Sequence, residues 1–245
     1  MIYSKTFLRA FRILQVNGYR IPLIKYRTAA GVEHSKILDS LNNGFKTVVD
    51  VGANRGQFAL VARRHFPAAK IVSFEPLKEP ATIFRNVFSS DPTVVLHEIA
   101  IGPENKEMLI HVSRADDSSS LLPIASLQSK LFPGTEETEE RKVIVRRLEV
   151  ILGSEDIEQP ALLKIDVQGF EKEVLEGCRA QLPCFSHIYV ECSFMELYAG
   201  QALAHEVVMF LDECGFVLAG IYNLYYSKDG IAVQGDFLFK RRESH

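Results

Sequence analysis

Short apolar runs alternate with amphipathic segments along most of this chain, and several of the runs end in a carboxylate. Residues 47–57 are typical of a buried strand that enters a glycine-bearing turn and then a helix, because Val48, Val49 and Val51 form a β-branched run. Strands that alternate with helices predict an α/β fold with a parallel, doubly wound sheet. Further strands are predicted at residues 70–76, 93–102, 161–167, 187–192, 216–222 and 234–240, and helices at residues 34–41, 170–179 and 202–214.

A long polar segment interrupts this alternation. Two extra strands, at residues 108–112 and 143–147, flank it, so we predict a β-hairpin and loop insert over about residues 106–147. Long loops inside compact domains are usually functional or disordered. We expect this one to form a mobile cover over the binding site, with its serine hydroxyls contacting the substrate: Ser118, Ser119 and Ser120.

Composition limits the classes of protein that need consideration. The chain has 245 residues, 47% of them hydrophobic, and we expect an N-terminal helical extension at 1–45 before a single domain at 46–245. A net charge of −3 argues against a nucleic-acid partner. The four cysteines lack C-x-x-C spacing, which indicates reduced thiols in a cytoplasmic protein rather than a zinc or redox site. No run approaches the roughly 18 apolar residues of a transmembrane segment.

The N-terminal segment is basic, since six cationic residues precede the first acid, Glu33, with apolar residues between them. One interpretation is a basic amphipathic helix that contacts a membrane surface peripherally. The other, which we favour, is a helix that packs on the rest of the domain or across a homodimer with its basic face in solvent. The six residues are Lys5, Arg9, Arg12, Arg20, Lys25 and Arg27.

The glycine turn after the first predicted strand distinguishes between cofactors. Dinucleotide sites need G-x-G-x-x-G to receive a pyrophosphate, whereas here Gly52 and Gly56 are four apart, with Asn54 between them and Asp50 just before. A carboxylate at this strand end suits a cationic ligand. S-adenosylmethionine carries an ammonium and a sulfonium and has no phosphate, so these four residues are predicted to bind it. The alternative is an ordinary tight turn between strand and helix.

The second predicted strand ends in Glu75-Pro76, about 20 residues beyond the glycine turn, where a carboxylate can accept hydrogen bonds from both ribose hydroxyls. We predict that Glu75 and Pro76 contact the nucleoside part of the cofactor. A surface glutamate before a proline is the structural alternative. The third run, ending near Ala100, is expected at the adenine edge.

Four segments, residues 50–56, 74–76, 163–177 and 236–239, together resemble the FkbM-type family of S-adenosylmethionine-dependent methyltransferases over about residues 47–240. The resemblance implies a Rossmann-like class I methyltransferase fold, with a seven-stranded, mostly parallel sheet and an antiparallel last strand. Family members methylate hydroxyl groups on sugars and polyketide-type small molecules, so a small-molecule or carbohydrate acceptor is implied. The chain departs from the family pattern at Gln168, where an acid is usual, and at Glu149, where an aspartate is usual.

Asp166 and Glu191 end neighbouring predicted strands at the carboxyl edge, where ligands of open α/β sheets bind. Methyl transfer to an alcohol needs alignment of the acceptor and removal of its proton. Either residue is a candidate general base, a ligand for the acceptor hydroxyl or, for Asp166 above all, a ligand of a divalent cation, and Asp166 is also predicted to contact the cofactor. The structural alternative for each is a strand-end acid that binds a loop amide.

Other functions remain in view at this stage. An NAD-dependent oxidoreductase requires a third glycine and a proton relay that the chain lacks. A non-catalytic module for a nucleotide-like ligand needs Asp50 and Glu75 but no acids around an acceptor. A methyltransferase acting on protein or nucleic acid uses the same cofactor. We therefore predict O-methylation of a sugar, glycan or polyketide-like small molecule and keep the other two as alternatives.

Overall fold

The computed structural model of the protein describes residues 13–41 and 44–242. Lys5, Arg9 and Arg12 of the basic N-terminal segment lie outside these residues, so the predicted N-terminal helix is described only in its later part. The strands are β1 (Thr47–Val51), β2 (Lys70–Phe74), β3 (Val94–His97), β4 (Ala100–Ile101), β5 (Lys106–Ser113), β6 (Glu137–Arg146), β7 (Ala161–Ile165), β8 (His187–Ser193), β9 (Phe216–Tyr226) and β10 (Ala232–Arg241).

Seven strands form one sheet in the order β3-β2-β1-β7-β8-β10-β9. All neighbours are parallel except that β10 runs antiparallel between β8 and β9. Every residue of β1 and β7 is buried, as expected for central strands covered on both faces. The predicted doubly wound sheet with an antiparallel last strand is confirmed. The strand order reverses at β1 and β7, where open α/β sheets bind their ligands.

The prediction of one continuous strand at residues 93–102 is wrong. The run divides after His97, and Ala100 and Ile101 leave the main sheet to pair in parallel with Val145 and Arg146 of β6. β6 also pairs antiparallel with β5, so the insert contributes a three-stranded sheet of order β4-β6-β5. The predicted polar loop is correspondingly shorter, because β6 already begins at Glu137 and a helix covers Ser126–Leu131.

Helices cover both faces of the main sheet. On one face, the N-terminal residues Ile37 and Leu38 join a buried cluster with Val48 of β1 and Leu162 of β7. On the other face, a second cluster includes Val145 of the insert. Among the described residues, no helix is long and apolar enough to cross a membrane. The α-helices are Asn17–Tyr26, Ser35–Ser40, Gln57–His65, Lys78–Val87, Ser126–Leu131, Glu171–Gly177 and Ala204–Glu213.

Candidate active site

A cavity of about 450 Å³ opens at the carboxyl ends of β1, β2 and β7. Small-molecule sites commonly have volumes of this order. Three residues proposed from the sequence, Asp50, Gly56 and Glu191, do not line the cavity. The cavity brings together the other proposed residues: Gly52, Asn54, Glu75, Pro76, Ala100, Asp166, Ser118, Ser119 and Ser120.

Glu75 lies at the end of β2 and is only 6% exposed. One carboxylate oxygen accepts a hydrogen bond from the backbone N–H of Asn54 (3.0 Å), and the other accepts one from the N–H of Leu77 (2.8 Å). Burial raises the pKa of this carboxyl to about 7, although both amides lower it. Each carboxylate oxygen has a second acceptor site, so Glu75 can still receive hydroxyl donors from the cavity.

The two glycines of the turn have positive φ angles for different reasons. A Cβ on Gly52 (φ 81°) would lie 1.8 Å from the backbone oxygen of Asp166, so glycine permits the close approach of the turn to the end of β7. A Cβ on Gly56 (φ 92°) would instead meet the rings of Phe88 and Phe84 at 2.6 and 3.0 Å. Helix packing therefore requires glycine at position 56, which does not line the cavity, and its contact with a cofactor stays a prediction.

Asp50 does not face the cavity as predicted. It is completely buried, and its carboxylate lies 3.1 Å from the ammonium nitrogen of Lys164 on the neighbouring strand β7. Burial alone lowers the pKa of Lys164, but the carboxylates of Asp50 and Asp166 outweigh this effect and raise it. Lys164 lines the cavity and also donates to the backbone oxygen of Gly52 at 3.1 Å. Asp50 thus holds the Lys164 ammonium beneath the glycine turn.

The side-chain amide of Gln168 connects the two predicted catalytic acids. Its nitrogen donates to Asp166 Oδ1 at 2.7 Å and to Glu191 Oε2 at 3.0 Å, while its oxygen accepts from the Tyr198 hydroxyl at 2.8 Å. The other oxygen of Glu191 accepts from Gln234 at 2.7 Å. Burial and the nearby Asp166 and Asp236 raise the pKa of Glu191. Both oxygens of Glu191 are therefore engaged, and only Asp166 reaches the cavity.

With Gln168 in the observed orientation, a divalent cation does not fit between Asp166 and Glu191. The amide of Gln168 turns its N–H donors toward both carboxylates, whereas a cation needs oxygen atoms turned toward it. In this orientation the amide oxygen accepts from the Tyr198 hydroxyl, whose oxygen also lies 3.1 Å from the backbone oxygen of Ser118. In the described part of the chain, the group of three acidic or histidine residues close enough to share a cation lies outside the cavity, at His111, Glu137 and Glu140.

The beginning of the insert forms one wall of the cavity. Arg55, in the glycine turn, makes an ion pair with Asp116 at 2.6 Å and thereby ties the insert to the turn. The predicted serines line the cavity, but two of their hydroxyls accept backbone hydrogen bonds: Ser119 from Ser113 N–H at 3.1 Å and Ser120 from Leu122 N–H at 3.0 Å. Each hydroxyl can still donate its own proton to a ligand.

Sequence reasoning missed four residues of the site: His34, Lys164, Tyr198 and Gln234. His34, Lys164 and Gln234 line the cavity, and Tyr198 holds Gln168. Lys164 and Gln234 stand inside predicted strands, where a polar residue in an apolar run was the available signal. Nothing local in the sequence distinguishes His34, because it reaches the cavity only through the packing of the N-terminal segment against β8 and β10.

Sequence comparison relates the chain to known methyltransferases. A family model described as the methyltransferase FkbM domain matches residues 50–218. Methyltransferase 1 of Beauveria bassiana is 29% identical over 142 residues, and the match covers 53% of this chain and 57% of that protein. The 2-O-methyltransferase NoeI of Sinorhizobium fredii is 28% identical over 189 residues, covering 73% and 76%.

The fold has counterparts among solved structures. Sp1610 of Streptococcus pneumoniae, described as a candidate tRNA (m1A22) methyltransferase and solved with S-adenosyl-L-methionine, has a TM-score of 0.50 at 8% identity, covering 86% of this chain and 73% of its own. At this identity the likeness concerns the fold alone. Because the family model spans most of the folded domain, the chain belongs to the FkbM family of methyltransferases.

Proposed function

We propose that the protein transfers a methyl group from S-adenosylmethionine to a hydroxyl of a sugar, glycan or polyketide-like small molecule. The observation that carries this proposal is a single cavity whose wall has two kinds of lining residue. We call the Glu75 carboxylate and the apolar side chains near it the Glu75 half, and the amide and hydroxyl groups around Asp166 the other half. The family assignment supplies the reaction class, and the wall of the cavity supplies the argument for the acceptor.

The Glu75 half suits the nucleoside of the cofactor. The Glu75 carboxylate has free acceptor positions for the two ribose hydroxyls, and Asn54 presents its backbone N–H to the same carboxylate. Apolar side chains beyond Glu75 form a slot that suits an adenine ring. When bound, S-adenosylmethionine supplies an electrophilic methyl carbon on a sulfonium. The slot is lined by Pro76, Leu77, Ala100 and Ile101.

The other half suits a neutral, hydroxylated acceptor. Uncharged hydrogen-bonding groups dominate it, including Gln168, Gln234 and the three serines. Among the described residues, the cavity wall as a whole carries the five carboxylates Glu33, Glu75, Asp116, Asp117 and Asp166 but a single lysine and no arginine. Such a wall repels phosphates and attracts a sulfonium, which argues against nucleic acid as the acceptor.

Of the two predicted catalytic acids, Asp166 is the one that lines the cavity, at the switch point of the sheet. We assign to it the orientation of the acceptor hydroxyl. Glu191, bound by Gln168 and Gln234, holds Asp166 indirectly. These side chains contribute alignment and exclusion of water, which are the main requirements of an in-line methyl transfer.

Two measurements test the proposal. Calorimetry with S-adenosylhomocysteine tests the cofactor half, with Glu75→Ala expected to weaken binding by about 1–3 kcal/mol. Transfer of tritium from methyl-labelled S-adenosylmethionine to p-nitrophenyl glycosides and to polyketide-type alcohols tests the acceptor half. Transfer to tRNA or protein, with none to hydroxylated small molecules, refutes the acceptor assignment. Binding without transfer to any of these acceptors favours a non-catalytic module.

A further inference from the structure

A hydrogen-bonded chain of buried side chains connects the cavity to the interior of the sheet through His34. The Tyr189 hydroxyl lies 3.0 Å from His34 Nδ1 and donates to Asp236 Oδ2 at 2.8 Å. Asn223 donates to the same oxygen of Asp236 at 2.7 Å. Tyr189 and Asp236 are 2% and 8% exposed, so solvent does not compete for these hydrogen bonds.

The direction of these bonds fixes the tautomer of His34. The Tyr189 hydroxyl has one proton and gives it to Asp236, so the hydroxyl oxygen must accept from His34. His34 Nδ1 therefore carries the proton, and its Nε2 keeps a basic lone pair. Within the described part of the chain, Nε2 has no hydrogen-bond partner, while the ring lines the cavity. This is the arrangement that prepares an imidazole to accept a proton.

The ring of His34 is also fixed in position. It makes edge contacts with Phe58 and Tyr189, with ring centroids 5.5 and 5.6 Å apart. A Cβ on Gly31 would lie 2.9 Å from His34 Cδ2, so the chain leaves just enough room for the imidazole. A group held this firmly needs no reorganisation to act on a bound acceptor.

We propose that His34 is the catalytic residue that removes the proton from the acceptor hydroxyl, in the reaction proposed above. The acceptor oxygen forms a bond to the methyl carbon as the carbon–sulfur bond of the methylsulfonium donor breaks, and the electron pair of that bond stays on sulfur. The hydroxyl proton passes to His34 Nε2 and then to solvent. Tyr189 and Asp236 are positioning residues that hold the tautomer, and Asp166 aligns the acceptor.

Charged groups around His34 suit this role. Asp236 on β10 lies 3.5 Å from Nδ1, and buried Asp50 on β1 also interacts electrostatically with His34, although burial raises the pKa of both carboxyls. Both carboxylates stabilise the imidazolium that forms on proton transfer. The positive charge of Lys164 on β7 opposes this stabilisation of the imidazolium. Its ammonium lies 5.5 Å from the centre of the Phe58 ring, which contacts His34. Glu33 precedes His34 and also lines the cavity.

The test compares His34→Ala with His205→Ala, which replaces an exposed histidine outside the cavity. With tritiated donor and the p-nitrophenyl glycoside that wild type methylates fastest, His34→Ala should lower kcat about 10²-fold or more. Its affinity for S-adenosylhomocysteine should stay within a few-fold, and added imidazole should restore part of kcat. His205→Ala should match wild type. Tyr189→Phe should lower kcat by a smaller factor, about tenfold, because the base remains but loses its orientation.

The outcomes separate this proposal from the one on which it rests. A wild type that methylates no acceptor overturns the proposed function and the role of His34 together. A wild type that is active, with a His34→Ala variant of equal kcat and an unchanged pH profile, overturns the role of His34 alone. Loss of kcat without rescue by imidazole, accompanied by weaker S-adenosylhomocysteine binding, assigns His34 to the structure of the site and also refutes the proposal.

Discussion

Glu75 gives the sharpest test of the cofactor site, because its pKa of about 7 lies within the range of ordinary assays. The ionised carboxylate accepts hydrogen bonds from both ribose hydroxyls, whereas protonation replaces one acceptor position with a donor. A group of pKa about 7 is roughly one tenth ionised at pH 6 and roughly nine tenths ionised at pH 8. The dissociation constant of S-adenosylhomocysteine should therefore fall about tenfold between these two pH values, or about 1.4 kcal/mol.

Calorimetry on three proteins isolates this effect. Glu75→Gln should bind more weakly than wild type at pH 8 and lose the pH dependence. Glu171→Gln is the matched control, because Glu171 is also buried and has a pKa raised to about 7 by burial, yet it does not line the cavity. This control should keep the tenfold dependence. A wild-type dissociation constant that is the same at pH 6 and pH 8, or a Glu75→Gln variant that keeps the dependence, refutes the placement of the ribose at Glu75.

Three further predictions follow from the site. Asp166→Asn should leave S-adenosylhomocysteine affinity within a few-fold and lower kcat about 10²-fold, and unchanged turnover of the variant contradicts this. EDTA should not change wild-type kcat, since no cation fits beside Gln168 in its observed orientation, and a chelator-sensitive wild type contradicts this. Because the folded-state pKa of Glu171 exceeds its ordinary value of 4.5, wild type loses stability as pH rises from about 4.5 to about 7. The difference in the free energy of unfolding between Glu171→Gln and wild type, measured with urea, should therefore change by roughly 2 kcal/mol in favour of the variant between pH 5 and pH 8. A difference that stays constant contradicts the raised pKa. Amides of residues 115–131 should exchange more slowly with S-adenosylhomocysteine and acceptor bound, and equal exchange in both states would falsify the role of the insert as a cover.

The parts of the site that the sequence predicts are those set by local chain geometry. Gly52 and Asn54 follow β1 directly, and Glu75 follows β2, so strand ends and spacing are enough to place them. The prediction that Asp50 faces the cavity failed because all five residues of β1 are buried, and a run of that kind does not show which face of the sheet a side chain takes. Its partner Lys164 is fixed by the pairing of β1 with β7, which the sequence does not specify residue by residue.

The proposed proton acceptor lies beyond the reach of local patterns for the same physical reason. His34, Tyr189 and Asp236 come from three distant parts of the chain and meet only through tertiary packing. The division of residues 93–102 is a similar case, because β4 leaves the main sheet to pair with β6, some 40 residues further on. Strand propensity predicts that such a run is extended but not which partner it takes.

Gln168 explains how the site works without the acid that is usual at this position of the family motif. A carboxylate at 168 would stand between Asp166 and Glu191, and three like charges in a buried site require either a cation or a shared proton. The amide supplies donors to both acids instead, so Asp166 is held without a metal ion. We assign Asp166 to alignment, and proton removal to a group whose lone pair has no hydrogen-bond partner. In the described structure, His34 meets that requirement, with Nδ1 bound to Tyr189, no hydrogen-bond partner at Nε2 and its ring at the cavity wall.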